Sequence, residues 1–136
     1  MAAGRRTDYL TLADALALHL AVVESTGVAP APLRDEGLLE AALMRPQMAA
    51  HYEQADLIGQ AALLGVGISQ AQAFLDGNKR TAFACADAFL RLNGLTYAGD
   101  PVALGRELEA IAERAGGLEG ATAGFEAWLR KRIAPL

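Results

Sequence analysis

The residues best suited to chemistry lie in one short turn, Asp76-Gly77-Asn78-Lys79-Arg80, between two apolar stretches. A helix that begins near Asn78 would offer an anion its first backbone N–H groups and the positive end of its dipole. Gly77 permits close approach to the backbone, Asn78 adds an amide donor, and Lys79 and Arg80 add positive charge. Asp76 would repel a phosphate unless a Mg²⁺ bridges the two. The turn therefore has the composition of a clamp for a metal-bound triphosphate.

The same turn is also compatible with an ordinary corner between two helices. In that interpretation Asp76 caps the second helix, and Lys79 and Arg80 are solvated. Composition alone favours this simpler interpretation, because most charges near helix ends have no further role. A β-hairpin is disfavoured, since the flanking residues have helical and not alternating apolar spacing.

A longer stretch around the turn, QAFLDGNKRTA at residues 72–82, carries a resemblance to a known family. It resembles the signature of the Fic/Doc family, whose Doc branch has His-x-Phe-x-Asp/Asn-Gly/Ala-Asn-Lys-Arg. Segments 9–19, 33–47 and 89–94 are also similar to segments of Doc proteins, so the resemblance covers nearly the whole chain. The branch that transfers AMP usually has a second arginine three residues after the first. Phe83 occupies that position here, which favours the Doc branch.

The resemblance implies a role for each residue of the motif. Asp76 would hold Mg²⁺ and act in catalysis with Lys79 and Arg80, and Phe74 would be the buried anchor of the loop. The residues implied to bind the nucleotide are Gly77, Asn78, Lys79, Arg80 and Thr81. Residues 47–55, which have no clear period, lie where the family keeps a flap that positions the target, so an exposed loop is expected there.

The resemblance also implies an activity and its partners. Doc proteins use ATP and Mg²⁺ to move a phosphoryl group to a hydroxyl of a translation protein such as elongation factor Tu, whereas other family members transfer AMP. Each Doc toxin is neutralised by an antitoxin whose disordered segment folds on binding. The expected function is that of a Doc-like toxin in a toxin–antitoxin module. The alternative is a catalytically inactive module that binds nucleotide or a partner.

One position departs from the family pattern, because Gln72 stands where the family has its histidine. That histidine would be the general base for the target hydroxyl, and a glutamine amide cannot accept the proton. We therefore expect activity to be weak or absent. Gln72 could disarm a toxin, mark a pseudoenzyme, or leave the base to another residue. His51 is the only plausible substitute, although a solvated side chain is the simpler interpretation, and His19 is expected to be structural or superficial.

Composition sets the broad class of the protein. A net charge of −4 argues against binding to nucleic acid or to an anionic membrane surface. The chain has 136 residues, 53% of them hydrophobic, which suffices for one packed domain over 1–136 with a flexible N-terminus at 1–8. Cys85 is the single cysteine, so an internal disulfide is excluded. Because it lies within an apolar helical run, a buried and inert thiol is expected. With no signal peptide and no apolar run long enough for a bilayer, we expect a cytoplasmic protein.

The elements that would position the motif are helical. Apolar spacing predicts an all-α fold of about six helices, in which the most buried helix leads into the motif loop. Thr11 and Asp14 form a capping box for the first helix, and Pro46 is expected to end the second. The helices are expected at 11–26, 34–45, 57–71, 78–93, from Asp100-Pro101 to Gly116-Gly117, and at 119–133, with an extended segment at 95–100.

Overall fold

The structure, a computed structural model, describes residues 6–25, 33–75, 77–111 and 117–136. These residues form an all-helical domain with one very small sheet, which confirms the expected fold class. The expected stop at Gly27, most of the connection at 28–33, and Gly116 lie outside the described residues. The elements are α1 (Leu12–Glu24), α2 (Glu36–Tyr52), α3 (Leu57–Ala71), α4 (Asn78–Leu92), β1 (Leu95–Tyr97), α5 (Pro101–Ile111), α6 (Gly117–Arg130) and β2 (Ile133–Pro135).

Helix α3 is the centre of the molecule, as its sequence predicts. Ten of its fifteen residues are buried, and α2, α4 and α6 all pack against it. Close packing depends on its glycines: a Cβ on Gly65 would come within 3.3 Å of the Phe125 ring and 3.5 Å of Ala86. The helix that leads into the motif loop is therefore fixed on three sides.

Local sequence signals correctly place several helix ends. The side chain of Thr11 accepts from the backbone N–H of Asp14, whose carboxylate accepts from the N–H of Thr11, so the capping box is present. Asp56 caps α3 through the N–H of Gly59 at 2.8 Å. Helix α4 begins at Asn78, and Gly94 follows it with a positive φ of 87°.

Helix α2 corrects the expectation that Pro46 ends the second helix. It continues to Tyr52 with Pro46 inside it, so residues 47–52 are helical and only 53–56 connect α2 to α3. A proline in a helix interior removes one hydrogen bond, here to the carbonyl of Ala42, and costs about 3 kcal/mol. Burial of Pro46 and Ala49 offsets that cost. The exposed loop expected at 47–55 is therefore wrong for most of its length.

The C-terminal residues also differ from the expectation of a helix to residue 133. Helix α6 ends at Arg130, and β2 pairs antiparallel with β1, so that Thr96 faces Ala134. The expected extended segment is confirmed at Leu95–Tyr97. The guanidinium of Arg132 lies 4.2 Å from the Trp128 ring centroid and donates to the Trp128 carbonyl at 2.8 Å. This contact helps to turn the chain out of α6 and toward β1.

A buried amide fixes the N-terminal segment to the core. The side chain of Asn93, 8% exposed, accepts from the N–H of Asp8 and donates to the carbonyls of Asp8 and Phe89. Residues 1–5 lie outside the described part. Within the described ranges, every helix is too short or too polar to cross a lipid bilayer.

Candidate functional site

The motif loop connects the buried end of α3 to the start of α4. Gln72, the residue after α3, adopts the left-handed conformation with φ 53° and ψ 38°. The next carbonyl, on Ala73, accepts from the N–H groups of Arg34 at 2.6 Å and Asp35 at 3.0 Å. Phe74 then forms an isolated β-bridge with Leu33. The loop is thus bound to the segment that leads into α2.

The amide of Asn78 holds the loop closed from inside. Its Oδ1 accepts from the N–H of Phe74 at 3.1 Å, and its Nδ2 donates to the carbonyl of Phe74 at 2.8 Å and to Gln72 Oε1 at 3.4 Å. The side chain is buried, with 8% of the residue exposed. The amide expected to donate to a ligand is therefore occupied within the protein. What Asn78 can offer an anion is its backbone N–H.

Phe74 lies beneath the loop, as expected of a buried anchor. It is 2% exposed and stacks on the His19 ring, with 3.6 Å between centroids and 8° between planes. His19 is itself 5% exposed and belongs to α1. Its interpretation as a structural histidine is confirmed, and the superficial alternative is excluded.

The N-terminus of α4 has the form of an anion site. Gly77 is the N-cap, with φ 79° and ψ 16°, a conformation that disfavours any residue with a side chain. The first backbone bond of α4 runs from the N–H of Thr81 to the carbonyl of Gly77 at 2.9 Å. The N–H groups of Asn78, Lys79 and Arg80 precede that bond and have no partner within the helix. Positive potential is therefore concentrated at this helix end.

A cleft of about 970 Å³ opens beside this helix end. The motif residues Gln72, Gly77, Lys79 and Arg80 line part of it, and helix α5 lines another part. The volume is within the range of small-molecule sites. The described residues that line the cleft are Val22, Val23, Gln72, Leu75, Gly77, Asn78, Lys79, Arg80, Phe83, Pro101, Val102, Gly105, Arg106 and Glu109.

Of the residues implied by the resemblance, Thr81 does not reach the cleft, and Asp76 is not among the described residues. Thr81 is fully buried and is absent from the lining, and its hydroxyl has no hydrogen-bond partner within the described part of the chain. Asp76 lies outside the described residues, so its metal role stays a prediction. Among the described residues, no three His, Cys, Asp or Glu side chains come together as a metal site.

Gln72 faces the cleft but is engaged with its own neighbours. Its Nε2 donates to the carbonyl of Ser69 at 2.9 Å, while its Oε1 accepts from Asn78. An amide has no proton-accepting group near neutral pH, and here its oxygen is already in use. The arrangement can orient the loop, but it provides no general base.

His51 cannot replace the missing base within the same chain. It lies near the C-terminus of α2, whereas the motif loop binds the backbone of Arg34 and Asp35 just before the N-terminus of that helix. At a rise of 1.5 Å per residue, the fifteen residues from Glu36 to His51 span about 22 Å. The hypothesis of a substitute base at His51 is therefore rejected on distance.

Helix α5 contributes cleft residues that the motif could not reveal. Val102, Gly105, Arg106 and Glu109 recur at spacings of three and four residues, so they share one face of the helix. They lie more than twenty residues after Arg80 and match no local signature. Only the packing of α5 beside α4 brings them to the cleft.

Comparison with known proteins agrees with the motif. Residues 9–90, more than half of the chain, match the model of the Fic/DOC family. The chain is also 44% identical over 70 residues to Toxin Doc of Mycolicibacterium smegmatis, an alignment that spans 50% of this chain and 54% of that protein. The alignment therefore spans only about half the length of the curated relative. From α1 through the motif loop to α4, this chain belongs to the Fic/Doc family.

Proposed function

We propose that this protein is a Doc-type toxin of a toxin–antitoxin module that binds ATP in the cleft beside α4. In the proposed reaction, a phosphoryl group is transferred to a hydroxyl of a translation protein such as elongation factor Tu. In the other branch of the family, the transferred group is AMP. With Gln72 in place of the base, this transfer is weak or absent in the chain as it stands.

The cationic helix end at the cleft is the observation that carries the proposal. Lys79 and Arg80 line a cleft of suitable size, next to backbone N–H groups that α4 leaves unpaired. Arg106 of helix α5 adds a third cation to the lining. Phosphate groups fit this combination of forked guanidinium, point charge and helix dipole. Asp76 is proposed to hold the Mg²⁺ that accompanies ATP.

The proposed step that fails is deprotonation of the acceptor hydroxyl. Removal of a general base typically costs on the order of 10²- to 10⁴-fold in rate. Phosphoryl transfer through a loose transition state depends mainly on positioning and electrostatics, so a residual rate is compatible with the site. In this proposal the positioning groups remain and the proton acceptor is missing.

The proposed partners follow from similarity to Toxin Doc. An antitoxin with a disordered segment that folds on the toxin would neutralise it, and coupled folding of this kind covers a large surface at moderate affinity. The proposed location is the cytoplasm, where a translation target would be available.

The experiment that tests this function compares the chain with its Gln72→His variant. Each protein is incubated with Mg-ATP and purified elongation factor Tu, and the intact mass of the target is measured. A phosphoryl increment with Gln72→His, at a rate on the order of 10²-fold or more above that of the unchanged chain, is expected. An AMP increment would place the chain in the other branch. No increment with either protein would contradict the proposed reaction on this target.

A second candidate is a module that binds nucleotide without any chemistry. The hydrogen bonds of Gln72 favour it, because both polar ends of the amide are used to hold the loop. Thermal unfolding with and without Mg-ATP separates the alternatives: stabilisation without transfer, even in Gln72→His, would favour the binding module. Arg80→Ala should remove that stabilisation in both cases.

A further inference from the structure

Gly105 is a glycine in a helix interior for which the described residues give no packing reason. It lies near the middle of α5, is exposed, and has an ordinary helical backbone. A Cβ built there meets no heavy atom within 4 Å in the described structure. Glycine at such a position makes a helix less stable than alanine would. The fold would therefore gain stability from a side chain here.

Two glycines of the central helix α3, Gly65 and Gly67, have a packing reason that Gly105 lacks. A Cβ on Gly65 would press on Phe125 at 3.3 Å, and one on Gly67 would lie 3.3 Å from Arg45 Nη1. Gly105 is one of the residues that line the cleft. A side chain at this position would therefore narrow the cleft, and its absence lowers helix stability.

The part of the cleft around Gly105 is mixed in character, because Arg106 and Glu109 share its helix face and apolar side chains lie beside them. One turn earlier on α5 lies Val102, which is 60% exposed, and Phe83 and Val22 contribute further apolar surface. Lys79 and Arg80 supply positive charge from α4. A ligand with phosphates at one end and a flat, weakly polar group at the other matches both parts.

We propose that Gly105 is a specificity-determining residue, kept without a side chain so that the base of a bound nucleotide can lie against the backbone of α5. The proposal rests on the proposed nucleotide function and adds where the base is held. Val102 would pack on the base, while the phosphates remain at Lys79 and Arg80. Residue 105 lies outside residues 9–90, which match the family model, so the family match does not assign it a role.

The test measures the affinity of Mg-ATP and of magnesium tripolyphosphate by calorimetry for the unchanged chain, Gly105→Ala and Gly105→Leu. We expect the unchanged chain to bind ATP more tightly than tripolyphosphate, because only ATP has a base. Gly105→Leu should weaken ATP on the order of tenfold or more and leave tripolyphosphate within about twofold. Gly105→Ala should weaken ATP less while raising the melting temperature, because alanine favours the helix.

Ala123→Leu is the matched control, since it adds the same side chain to an exposed position of α6 outside the cleft. It should leave both affinities unchanged. If Gly105→Leu binds ATP as tightly as the unchanged chain, or if the unchanged chain binds both ligands equally, the role of Gly105 is refuted while the phosphate site stands. If the unchanged chain binds neither ligand, the nucleotide function itself fails, and the inference fails with it.

Discussion

At the scale of single residues, the motif divides into groups that face the cleft and groups that hold the loop together. Lys79 and Arg80 face the cleft, as their charge suggests. Asn78 and Gln72 instead bond to each other and to the backbone of the loop. The motif alone predicts that the Asn78 side chain donates to a ligand, whereas in the structure it bonds to the backbone of Phe74. A polar side chain in a turn has two potential partners, ligand and backbone, and the sequence does not distinguish them.

Replacement of Asn78 tests its structural role. Asn78→Ala leaves the N–H and carbonyl of Phe74 without their partner in a buried place, which costs about 1–3 kcal/mol of unfolding free energy. Urea denaturation followed by circular dichroism measures this loss. Lys79→Ala, the exposed neighbour, should change stability by less than about 0.5 kcal/mol. Equal effects of the two substitutions would contradict the role of the amide.

At the scale of elements, local sequence signals predicted the N-termini of helices better than the C-termini of helices and the pairing of strands. Capping by Thr11 and Asp56 could be predicted because each cap is a contact within three residues. The continuation of α2 past Pro46 and the pairing of β2 with β1 could not, because both depend on distant partners. For the same reason, the sequence does not predict that α5 lines the cleft. Tertiary packing decides these features.

The cap of α3 makes a prediction about pH, because Asp56 also joins α3 to α6. Arg130 donates to both oxygens of its carboxylate, at 2.8 Å and 3.1 Å, and also bonds to Glu126. The hydrogen bonds from Arg130 hold the pKa of Asp56 below its ordinary value of 3.8. A lowered folded-state pKa gives stability that is complete above the unfolded value and lost as the pH falls through the folded value.

Asp56→Asn keeps an N-cap oxygen and removes the charge. We expect the unchanged chain to be more stable than Asp56→Asn at pH 7, by up to about 1 kcal/mol because the ion pair is largely exposed. The difference should shrink as the pH is lowered from about 4 and should disappear once Asp56 is protonated. Melting temperatures of both proteins between pH 7 and pH 2 provide the measurement. A difference that does not depend on pH would show that the charge contributes nothing.

At the scale of the whole molecule, two parts of the chain form the cleft, and only one of them matches the family model. The match to the Fic/DOC family covers residues 9–90 and so includes the motif loop and most of α4. Helix α5 at Pro101–Ile111, which also lines the cleft, lies beyond it. The family match thus covers the part of the cleft formed by the motif loop and α4. The α5 end has to be inferred from the fold of this chain.

Cys85 provides a measure of the stability of the whole molecule. It is fully buried on α4, the helix that carries Lys79 and Arg80. Burial, with a smaller contribution from the negative charge of Asp14, raises the pKa of its thiol to about 12. Because only the thiolate reacts, modification of Cys85 requires opening of the core. We expect labelling by a thiol reagent to be slow and to accelerate in urea with the slope of global unfolding.

This reactivity connects the core to the proposed ligand. A ligand that binds only the folded state, at 100 times its Kd, stabilises that state by about 2.7 kcal/mol. Labelling of Cys85 through global unfolding should therefore slow about 100-fold in Mg-ATP. Ala123→Cys in a Cys85→Ala background, exposed on α6, should react at once with or without ATP. If Mg-ATP slows the labelling of Cys85 and Arg80→Ala abolishes this effect, core stability is linked to the proposed phosphate site.

Fast labelling that does not depend on urea would contradict this prediction. It would show that α4 opens without global unfolding, so that the helix end proposed to bind phosphate is not rigid.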